Sequence, residues 1–330
     1  MNGWRVAVLG GGEWGTALAI NARRAGHAVK VWARDPELAA NLRRGENPRY
    51  LPGIPLGDGL DATTDIAEAL ADADCVLSVI PAQSLRPVLE LARGRIAPGT
   101  PFVVCAKGIE RSSGKLLSAI VEEILPEVTL ADLSGPGFAS DVAKGYPVAV
   151  AVAARDEALA AQLAIRFSTP KFRCYSTDDL TGVEIGGALK NVFAIAAGAI
   201  QGAGLGASAQ AAMVTRGFVE LRRFAVSFGA KPETLMGLSG LGDLILTCSS
   251  PQSRNFSYGF ALGQGKPTQG LLLAEGVPTA MIARQLARER GFEVPIMEAI
   301  ADIVDGSITV REAVDGLMTR PLKSENDETF

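Results

Sequence analysis

The first part of the chain alternates short apolar runs with longer segments whose apolar residues recur at helical spacing. RVAVL (5–9), VKVWA (29–33), DCVLSVI (74–80) and PFVVCA (101–106) are apolar runs without polar alternation. Such runs are typical of parallel strands covered on both faces. With the helical segment TALAINARRAGH between the first two runs, the pattern predicts a βαβ unit.

Further strands are predicted at residues 125–133 (LPEVTLADL), 147–153 (PVAVAVA) and 172–177 (FRCYST). After Thr177 the pattern changes to long Ala-, Leu- and Met-rich helical stretches with few strand signals. The sequence therefore predicts an α/β fold: a doubly wound Rossmann-type sheet over residues 1–178, followed by an all-α substrate-binding and catalytic domain over residues 179–330.

Composition narrows the classes of function. The chain has 330 residues, 48% of them hydrophobic and 21% charged, and a net charge of -4, which lacks the basic excess of nucleic-acid-binding proteins. MNGWRVAVLGGG enters a strand without the order of a signal peptide, so the cytoplasm is the simplest compartment. The four cysteines stand far apart with no Cys-x-x-Cys, which indicates neither a zinc site nor a disulfide framework.

The glycines at 10, 12 and 15 match G-x-G-x-x-G, directly after a strand and at the start of a helix. In this position the motif predicts a dinucleotide site. Gly10 allows the tight turn, Gly12 lets a pyrophosphate approach the backbone, and Gly15 lets the helix and strand pack closely. The alternative is a glycine turn with a structural role only.

The end of the second strand, VWARD, bears on which dinucleotide is bound. An acidic residue there would bond the ribose 2'-hydroxyl, whereas an arginine can pair with a 2'-phosphate. We expect Arg34 to make the cofactor contact, which favours NADPH over NADH. Asp35, directly before Pro36, is then the cap of the next helix.

The acid–base group has few candidates. The single histidine, His27, falls between the first helix and the second strand, at the amino-terminal edge of the predicted sheet and away from the edge where such sheets bind ligands, so we expect a surface or turn histidine. Lys190 is the one charged residue between Ile185 and Thr215. An apolar surround disfavours an ammonium and lowers its pKa, so Lys190 is our candidate for proton transfer. A lysine reaching solvent from a helix edge is the alternative.

The stretch from Ile185 to Thr215 is also long and apolar enough to suggest a membrane span. Its Gly and Ala content and the lysine in its middle argue against one. An apolar helical domain of this kind instead favours a homodimer.

Polar groups elsewhere suit a phosphorylated substrate. Lys107 follows a buried strand at its carboxyl end, and SGPGFA (134–139) offers free N–H groups after another strand. The run Ser253–Asn255 supplies hydroxyl, guanidinium and amide donors for a phosphate bound without a metal. Plain solvated loops are the alternative at each place.

These motifs together resemble the bacterial-type NAD(P)-dependent glycerol-3-phosphate dehydrogenases. The resemblance covers nearly the whole chain through GGGEWGTALA, NPRYLPG, AKGIE, SGPGFA, GALKNVFAIAAG and GLGDLILTCSSPQSRN, in that order. It implies reversible reduction of dihydroxyacetone phosphate to sn-glycerol 3-phosphate, with NADP(H) or NAD(H) as cofactor, for phospholipid synthesis. It also implies that Lys190 gives and takes the proton, and we expect Lys107 and Asp243 to orient and tune it.

The residues and the resemblance together predict two sets of contacts. The substrate set is Lys107, Gly135, Gly137, Lys190, Asn191, Asp243, Thr247, Ser253, Arg254 and Asn255. The cofactor set is Gly10, Gly12, Glu13, Trp14, Gly15, Arg34, Lys107, Ala139, Arg254, Leu273 and Glu275.

Two positions depart from the family's pattern. The family often has Ser where this chain has Glu13, and Ser or Thr where it has Gly137. Glu13 would weaken cofactor binding unless its carboxylate points away from the pyrophosphate. At Gly137 a backbone N–H must serve in place of a hydroxyl, or the contact is missing. Two other functions stay open: a lysine-dependent dehydrogenase of β-hydroxyacids or sugar acids, and a dinucleotide sensor without turnover.

Overall fold

The computed structural model describes residues 3–322 and residue 324. The chain divides into two compact units. The sheet unit comprises the residues up to Lys107 together with Lys115–Glu184, and the helical unit comprises Gly108–Gly114 together with the residues from Ile185 onward. The predicted domain boundary at 178/179 stays a prediction, and this division of the chain falls a few residues after it.

The sheet unit is built on one eight-stranded sheet of order β3-β2-β1-β4-β5-β6-β7-β8. Neighbouring strands are parallel except β6 and β7, which are antiparallel. The predicted α/β class is confirmed, although the sheet is not wholly parallel. The strands are β1 (Arg5–Leu9), β2 (Ala28–Trp32), β3 (Asp61–Thr63), β4 (Cys75–Ser78), β5 (Pro101–Val104), β6 (Thr129–Ser134), β7 (Val148–Ala153) and β8 (Phe172–Thr177).

Both faces of the sheet are covered, which explains why the strands have no polar alternation. Val6 and Val8 belong to one buried apolar cluster, whereas Ala7 and Leu9 belong to another, because successive side chains point to opposite faces. The helices of this unit are α1 (Glu13–Arg24), α2 (Pro36–Arg43), α3 (Ile66–Leu70), α4 (Leu85–Ala92), α5 (Leu117–Ile124), α6 (Ala139–Lys144) and α7 (Glu157–Phe167).

His27 lies in the predicted turn between α1 and β2, and its side chain is buried rather than at the surface. Its Nδ1 accepts the Trp4 N–H at 3.1 Å, and its Nε2 lies 2.8 Å from the Arg166 carbonyl oxygen. Since a carbonyl only accepts, Nε2 carries the proton. Both ring nitrogens therefore join backbone segments, and His27 has a structural role.

The helical unit contains the long apolar helix α8 (Leu180–Gly202), whose first residues belong to the sheet unit. By length and composition α8 could cross a bilayer, yet its most apolar stretch is completely buried, as in the core helix of a globular protein. The remaining helices are α9 (Ala207–Ser227), α10 (Pro232–Leu235), α11 (Asp243–Cys248), α12 (Arg254–Gly263), α13 (Gly276–Glu289), α14 (Pro295–Asp305) and α15 (Val310–Met318).

The glycines of α8 and α12 let the two helices touch through their backbones. A Cβ at Gly198 would lie 1.9 Å from the Phe256 carbonyl oxygen, and one at Gly259 would lie 1.9 Å from that of Ile195. Neither position accepts a side chain without moving a backbone. This close approach holds the start of α12 against the middle of α8.

Glu220 on α9 is a buried acid, 5% exposed, that caps another helix. Its carboxylate accepts the N–H groups of Ile296 and Met297, at 2.8 and 3.0 Å, in the first turn of α14. Burial raises the pKa of Glu220 to about 7 from its usual 4.5, while the two N–H groups oppose the rise. The cap therefore couples the stability of the helical unit to pH.

We expect Glu220→Gln to flatten the pH dependence of stability between about pH 4.5 and 7. The folded protein holds the Glu220 proton more tightly than the unfolded chain, so the stabilisation is complete below the unfolded pKa and is lost as the pH rises through about 7. The wild type should lose on the order of 3 kcal/mol relative to Glu220→Gln over this interval. Urea unfolding at several pH values measures this, with the exposed Glu233→Gln as control. Parallel curves for wild type and Glu220→Gln would contradict the assignment.

Candidate functional site

Lys190 lies on α8 and is paired rather than solvated. Its Nζ donates to Asp243 Oδ1 at 2.9 Å and to Thr247 Oγ1 at 2.7 Å. Lys190 is 8% exposed and Asp243 only 1%. The prediction that Lys190 sits in a buried helical surround is confirmed, and the alternative of a lysine reaching solvent is wrong.

Local structure explains how α11 presents these two partners. Asp243 and Thr247 are four residues apart on α11, so their side chains share one face, and Thr247 Oγ1 also lies 3.2 Å from Asp243 Oδ1. The short π-helical segment before α11, Leu238–Gly242, needs a glycine at 240, because a Cβ there would lie 2.0 Å from the Leu235 carbonyl oxygen. The glycine-rich sequence GLGD therefore brings the carboxylate to the lysine.

This arrangement favours the charged form of Lys190. Burial alone disfavours an ammonium, as the sequence suggested, but a carboxylate at hydrogen-bond distance favours the charged form. Asp243 is thus the counter-charge of Lys190, which agrees with the expectation that Asp243 orients and tunes the lysine. A charged Lys190 can donate a proton to an oxygen that becomes negative during a reaction.

The start of α12 is bonded to Asn191, the residue that follows Lys190 on α8. Asn255 Nδ2 donates to Asn191 Oδ1 at 3.0 Å, and Asn255 Oδ1 accepts the Gly276 N–H at 2.9 Å. Ser253 caps α12 by accepting the Phe256 N–H at 3.2 Å. These bonds fix the amino terminus of a ten-residue helix, whose dipole and free N–H groups suit an anion.

Arg254 is the first residue of α12 and is exposed, so its guanidinium stands at the same helix terminus. The predicted Ser-Arg-Asn run is therefore a helix start rather than a plain solvated loop. Ser253 and Asn255 hold the backbone in place, and Arg254 adds a positive charge to the positive end of the helix dipole.

Two predicted substrate residues meet in the sheet unit. Lys107 follows β5 and Gly135 follows the neighbouring β6, and Lys107 Nζ donates to the Gly135 carbonyl oxygen at 3.2 Å. Only glycine fits at 135, because a Cβ there would lie 2.8 Å from Val150 Cα. The structure thus places both at the carboxyl end of β5 and β6, the edge at which such sheets bind ligands.

The glycine loop has the shape that a dinucleotide needs. Gly10 has a φ of 112°, and a Cβ at Gly15 would lie 1.9 Å from the Gly10 carbonyl oxygen, so these two glycines serve the fold. A Cβ at Gly12 would meet no atom within 4 Å, so Gly12 faces open space at the amino terminus of α1. The buried Trp14 Nε1 has no hydrogen-bond partner among the described residues. The residues present therefore fit a bound pyrophosphate.

Gly137 and Glu13, the two positions that depart from the family's pattern, have different surroundings. A Cβ at Gly137 would lie 3.0 Å from Val148 Cγ1 and 3.5 Å from Trp14 Cη2. A side chain at 137 would therefore press on Val148, whereas its distance to the Trp14 ring is that of an ordinary contact. Glu13 is half-buried at the start of α1, and its effect on cofactor binding stays a prediction.

Asp35 is the cap of α2, which confirms that part of the prediction. Its Oδ1 accepts the Glu37 N–H at 2.9 Å, and its Oδ2 lies 3.7 Å from Arg49 Nη1. Both carboxylate oxygens are thus engaged, whereas Arg34 beside it is exposed. The contact of Arg34 with a cofactor stays a prediction.

The other predicted cofactor residues lie in separate places. Ala139 is the buried first residue of α6 in the sheet unit. In the helical unit, Leu273 is exposed and Glu275 is half-buried directly before α13.

Sequence reasoning missed one polar residue near the glycine loop, Asn47, whose side chain bonds to the Gly11 carbonyl oxygen. The quoted NPRYLPG motif contained it, but a Pro- and Gly-rich loop gave no sign of where its side chain pointed.

The chain is similar to known proteins along most of its length. Residues 5–160 match the family model described as NAD-dependent glycerol-3-phosphate dehydrogenase N-terminus, and residues 179–315 match the one for its C-terminus. A protein of Mesorhizobium japonicum named glycerol-3-phosphate dehydrogenase (NAD(P)+) is 68% identical over 98% of this chain and 95% of its own length. One of the same name from Brucella suis is 56% identical over 98% of this chain and 99% of its own.

A solved structure of glycerol-3-phosphate dehydrogenase from Coxiella burnetii is similar throughout. Its TM-score is 0.90 at 35% identity, with 96% of this chain and 99% of that chain covered. The likeness therefore extends over both the sheet unit and the helical unit.

Proposed function

This chain belongs to the NAD-dependent glycerol-3-phosphate dehydrogenase family, and we propose that Lys190 is the group that exchanges the proton in its reaction. The enzyme is an oxidoreductase that interconverts dihydroxyacetone phosphate and glycerol 3-phosphate with NAD(P)(H). The observation that supports the role of Lys190 is its buried contact with Asp243 at 2.9 Å.

Reduction of the ketone needs a hydride at the carbonyl carbon and a proton at the carbonyl oxygen. When bound, NAD(P)H supplies the hydride. Lys190 donates its proton to the oxygen as the C=O electron pair moves onto it, and the neutral amine then regains a proton from solvent. Asp243 stabilises the ammonium before the transfer, and Thr247 fixes its direction. In the reverse reaction the neutral amine takes the proton from the alcohol.

The phosphate of the substrate has a matching anion site in this proposal. Arg254 and the free N–H groups at the start of α12 bind it, while Asn191 and Asn255 hold that helix start and offer amide groups to the substrate. In the sheet unit, Lys107 bonds to Gly135 and stays a predicted substrate contact. In the sheet unit, Gly12 and Trp14 hold the pyrophosphate of the cofactor.

Initial rates with purified protein test this function against its rivals. We expect NAD(P)H oxidation with dihydroxyacetone phosphate and almost none with the keto forms of β-hydroxyacids or sugar acids. Turnover with carboxylated substrates at comparable kcat/KM would favour the related lysine-dependent dehydrogenases instead. Dinucleotide binding without turnover on any of these substrates would favour a sensor.

Cofactor preference tests the role of Arg34. Replacing Arg34 by glutamine should raise the KM for NADPH about tenfold and leave that for NADH nearly unchanged, because only NADPH carries the 2'-phosphate. The control is Arg44→Gln, which removes an exposed arginine that pairs with Glu46. An unchanged ratio of kcat/KM for NADPH over NADH would remove Arg34 from the cofactor site.

We also propose a cytoplasmic homodimer. Large apolar side chains of the helical unit are more than half exposed, among them Met236, Ile245 and Met318. Such residues are candidates for an interface between copies of the chain. Light scattering coupled to size-exclusion chromatography measures the mass in solution, and a monomer at micromolar concentration would contradict the proposal.

A further inference from the structure

Asn47 forms a closed set of hydrogen bonds with the glycine loop. Its Nδ2 donates to the Gly11 carbonyl oxygen at 3.2 Å and to Thr16 Oγ1 at 2.8 Å. Thr16 Oγ1 in turn donates to the same Gly11 oxygen at 3.1 Å. Asn47 is 1% exposed and Thr16 is fully buried, so water does not compete for these bonds. The Gly11 carbonyl is thereby held by two donors on the inner side of the loop.

The orientation of the Asn47 amide is fixed from its other end. Its Oδ1 accepts the Tyr50 N–H at 3.2 Å, and the Leu51 N–H donates to the Asn47 carbonyl oxygen at 2.8 Å. Because Oδ1 must accept from an N–H, Nδ2 must point to Gly11 and Thr16. The turn from Asn47 to Leu51 thus fixes the amide that holds the glycine loop.

Fixing the Gly11 carbonyl also fixes the N–H of the next residue. The Gly11 oxygen and the Gly12 N–H belong to one planar trans peptide and point in opposite directions. An oxygen held inward by Asn47 and Thr16 therefore directs the Gly12 N–H outward. The Cβ position of Gly12 is open as well, since a Cβ there would meet no atom within 4 Å, so an anion has room beside this peptide.

We propose that Asn47 is a positioning residue for the dinucleotide, aiming the Gly12 N–H at the pyrophosphate through the Gly11 carbonyl. The inference rests on the proposed function, in which the glycine loop binds that pyrophosphate. Asn47 does not touch the cofactor in this scheme. Its effect is to remove the freedom of one peptide to rotate, so that the N–H is already oriented when the anion arrives.

Fragment binding separates positioning from general support of the fold. We expect Asn47→Ala to bind ADP-ribose, which contains the pyrophosphate, about tenfold more weakly than the wild type. Binding of 2'-AMP, which lacks the pyrophosphate, should stay the same. Calorimetry or ligand-observed NMR on the full chain measures both. The matched control is Asn21→Ala, since Asn21 is a buried asparagine on α1 that donates to the Phe167 carbonyl oxygen at 2.9 Å instead.

Thr16 provides a second variant if Asn47→Ala fails to fold. Thr16→Val keeps the shape but removes the hydroxyl donor to Gly11, and it should weaken ADP-ribose selectively, whereas Thr16→Ser should restore binding. Equal weakening of ADP-ribose and 2'-AMP, wild-type binding of ADP-ribose by Asn47→Ala, or the same loss in Asn21→Ala would each overturn the proposal.

Gly12→Ala tests separately whether the glycine loop binds the cofactor. Gly12 has φ -69° and ψ -170°, which alanine adopts, and the space beside it is open, so Gly12→Ala should fold normally. Its methyl group would occupy the place of the pyrophosphate and weaken ADP-ribose binding. If Gly12→Ala binds ADP-ribose like the wild type, the glycine loop is not the cofactor site. If it loses binding while Asn47→Ala does not, only the positioning role fails.

Discussion

Replacing Lys190 by methionine should lower kcat about 10³-fold and leave the Kd for NADPH nearly unchanged. Methionine keeps the length and apolar stem of the side chain but has no proton to give to the carbonyl oxygen. The chemical step then becomes rate-limiting, so deuterated NADPH should show a primary isotope effect at least as large as in the wild type. Stopped-flow single turnovers and fluorescence titration of NADPH measure the rate and the affinity.

Lys190→Met also affects stability, because it leaves the Asp243 carboxylate in place. Without the ammonium, Asp243 is a buried charge with no cation at 2.9 Å, which destabilises the site. The double variant Lys190→Met/Asp243→Asn removes both charges and should recover thermal stability without recovering activity. Lys266→Met, which changes an exposed lysine of the helical unit, is the control. A kcat within tenfold of the wild type in Lys190→Met would refute the proton-transfer role.

Replacing Asp243 by asparagine should lower kcat for ketone reduction at pH 7 about 10²-fold. The amide keeps the shape and a hydrogen-bond acceptor but carries no charge. In its absence the apolar surround disfavours the ammonium of Lys190, and fewer molecules hold the proton that reduction needs. Lowering the pH should therefore restore part of the activity, and the pH profile of kcat measures this recovery.

Thr247→Val gives the matched comparison for Asp243→Asn. Thr247 accepts a hydrogen bond from the same Nζ at 2.7 Å but contributes no charge. Its loss should lower kcat only several-fold and leave the pH profile in place. If Thr247→Val and Asp243→Asn shift kcat equally and neither moves the pH profile, the counter-charge role of Asp243 is wrong.

Much of the fold follows from local pattern. Apolar runs such as RVAVL and VKVWA form parallel strands because each is buried on both faces, as the absence of polar alternation indicates. The strand β3 was missed because three residues, DAT, give no periodic signal. The antiparallel pairing of β7 was not foreseen because strand direction depends on the path of the connection, which hydrophobic periodicity does not encode.

The site was predictable where its chemistry departs from its surroundings. Lys190 is conspicuous as one charge in a long apolar run, and the glycine motif is conspicuous by its position between strand and helix. Local pattern does not give the partners of these residues, and the expected role of Asp243 came from the family resemblance. Asp243 is 53 positions from Lys190, and Asn47 is 36 positions from Gly11, so no local pattern joins them.

The sequence by itself determined the fold class, the family and the identity of the charged, glycine and amide residues that its chemistry uses. The tertiary structure alone decided which of them meet: Asp243 with Lys190 as a counter-charge, His27 as a buried link between backbone segments, and Asn47 as the support of the Gly11 carbonyl. The physical reason is the range of each effect. Periodicity and turn chemistry act over a few residues, whereas burial and pairing of a polar group depend on segments that only folding brings together.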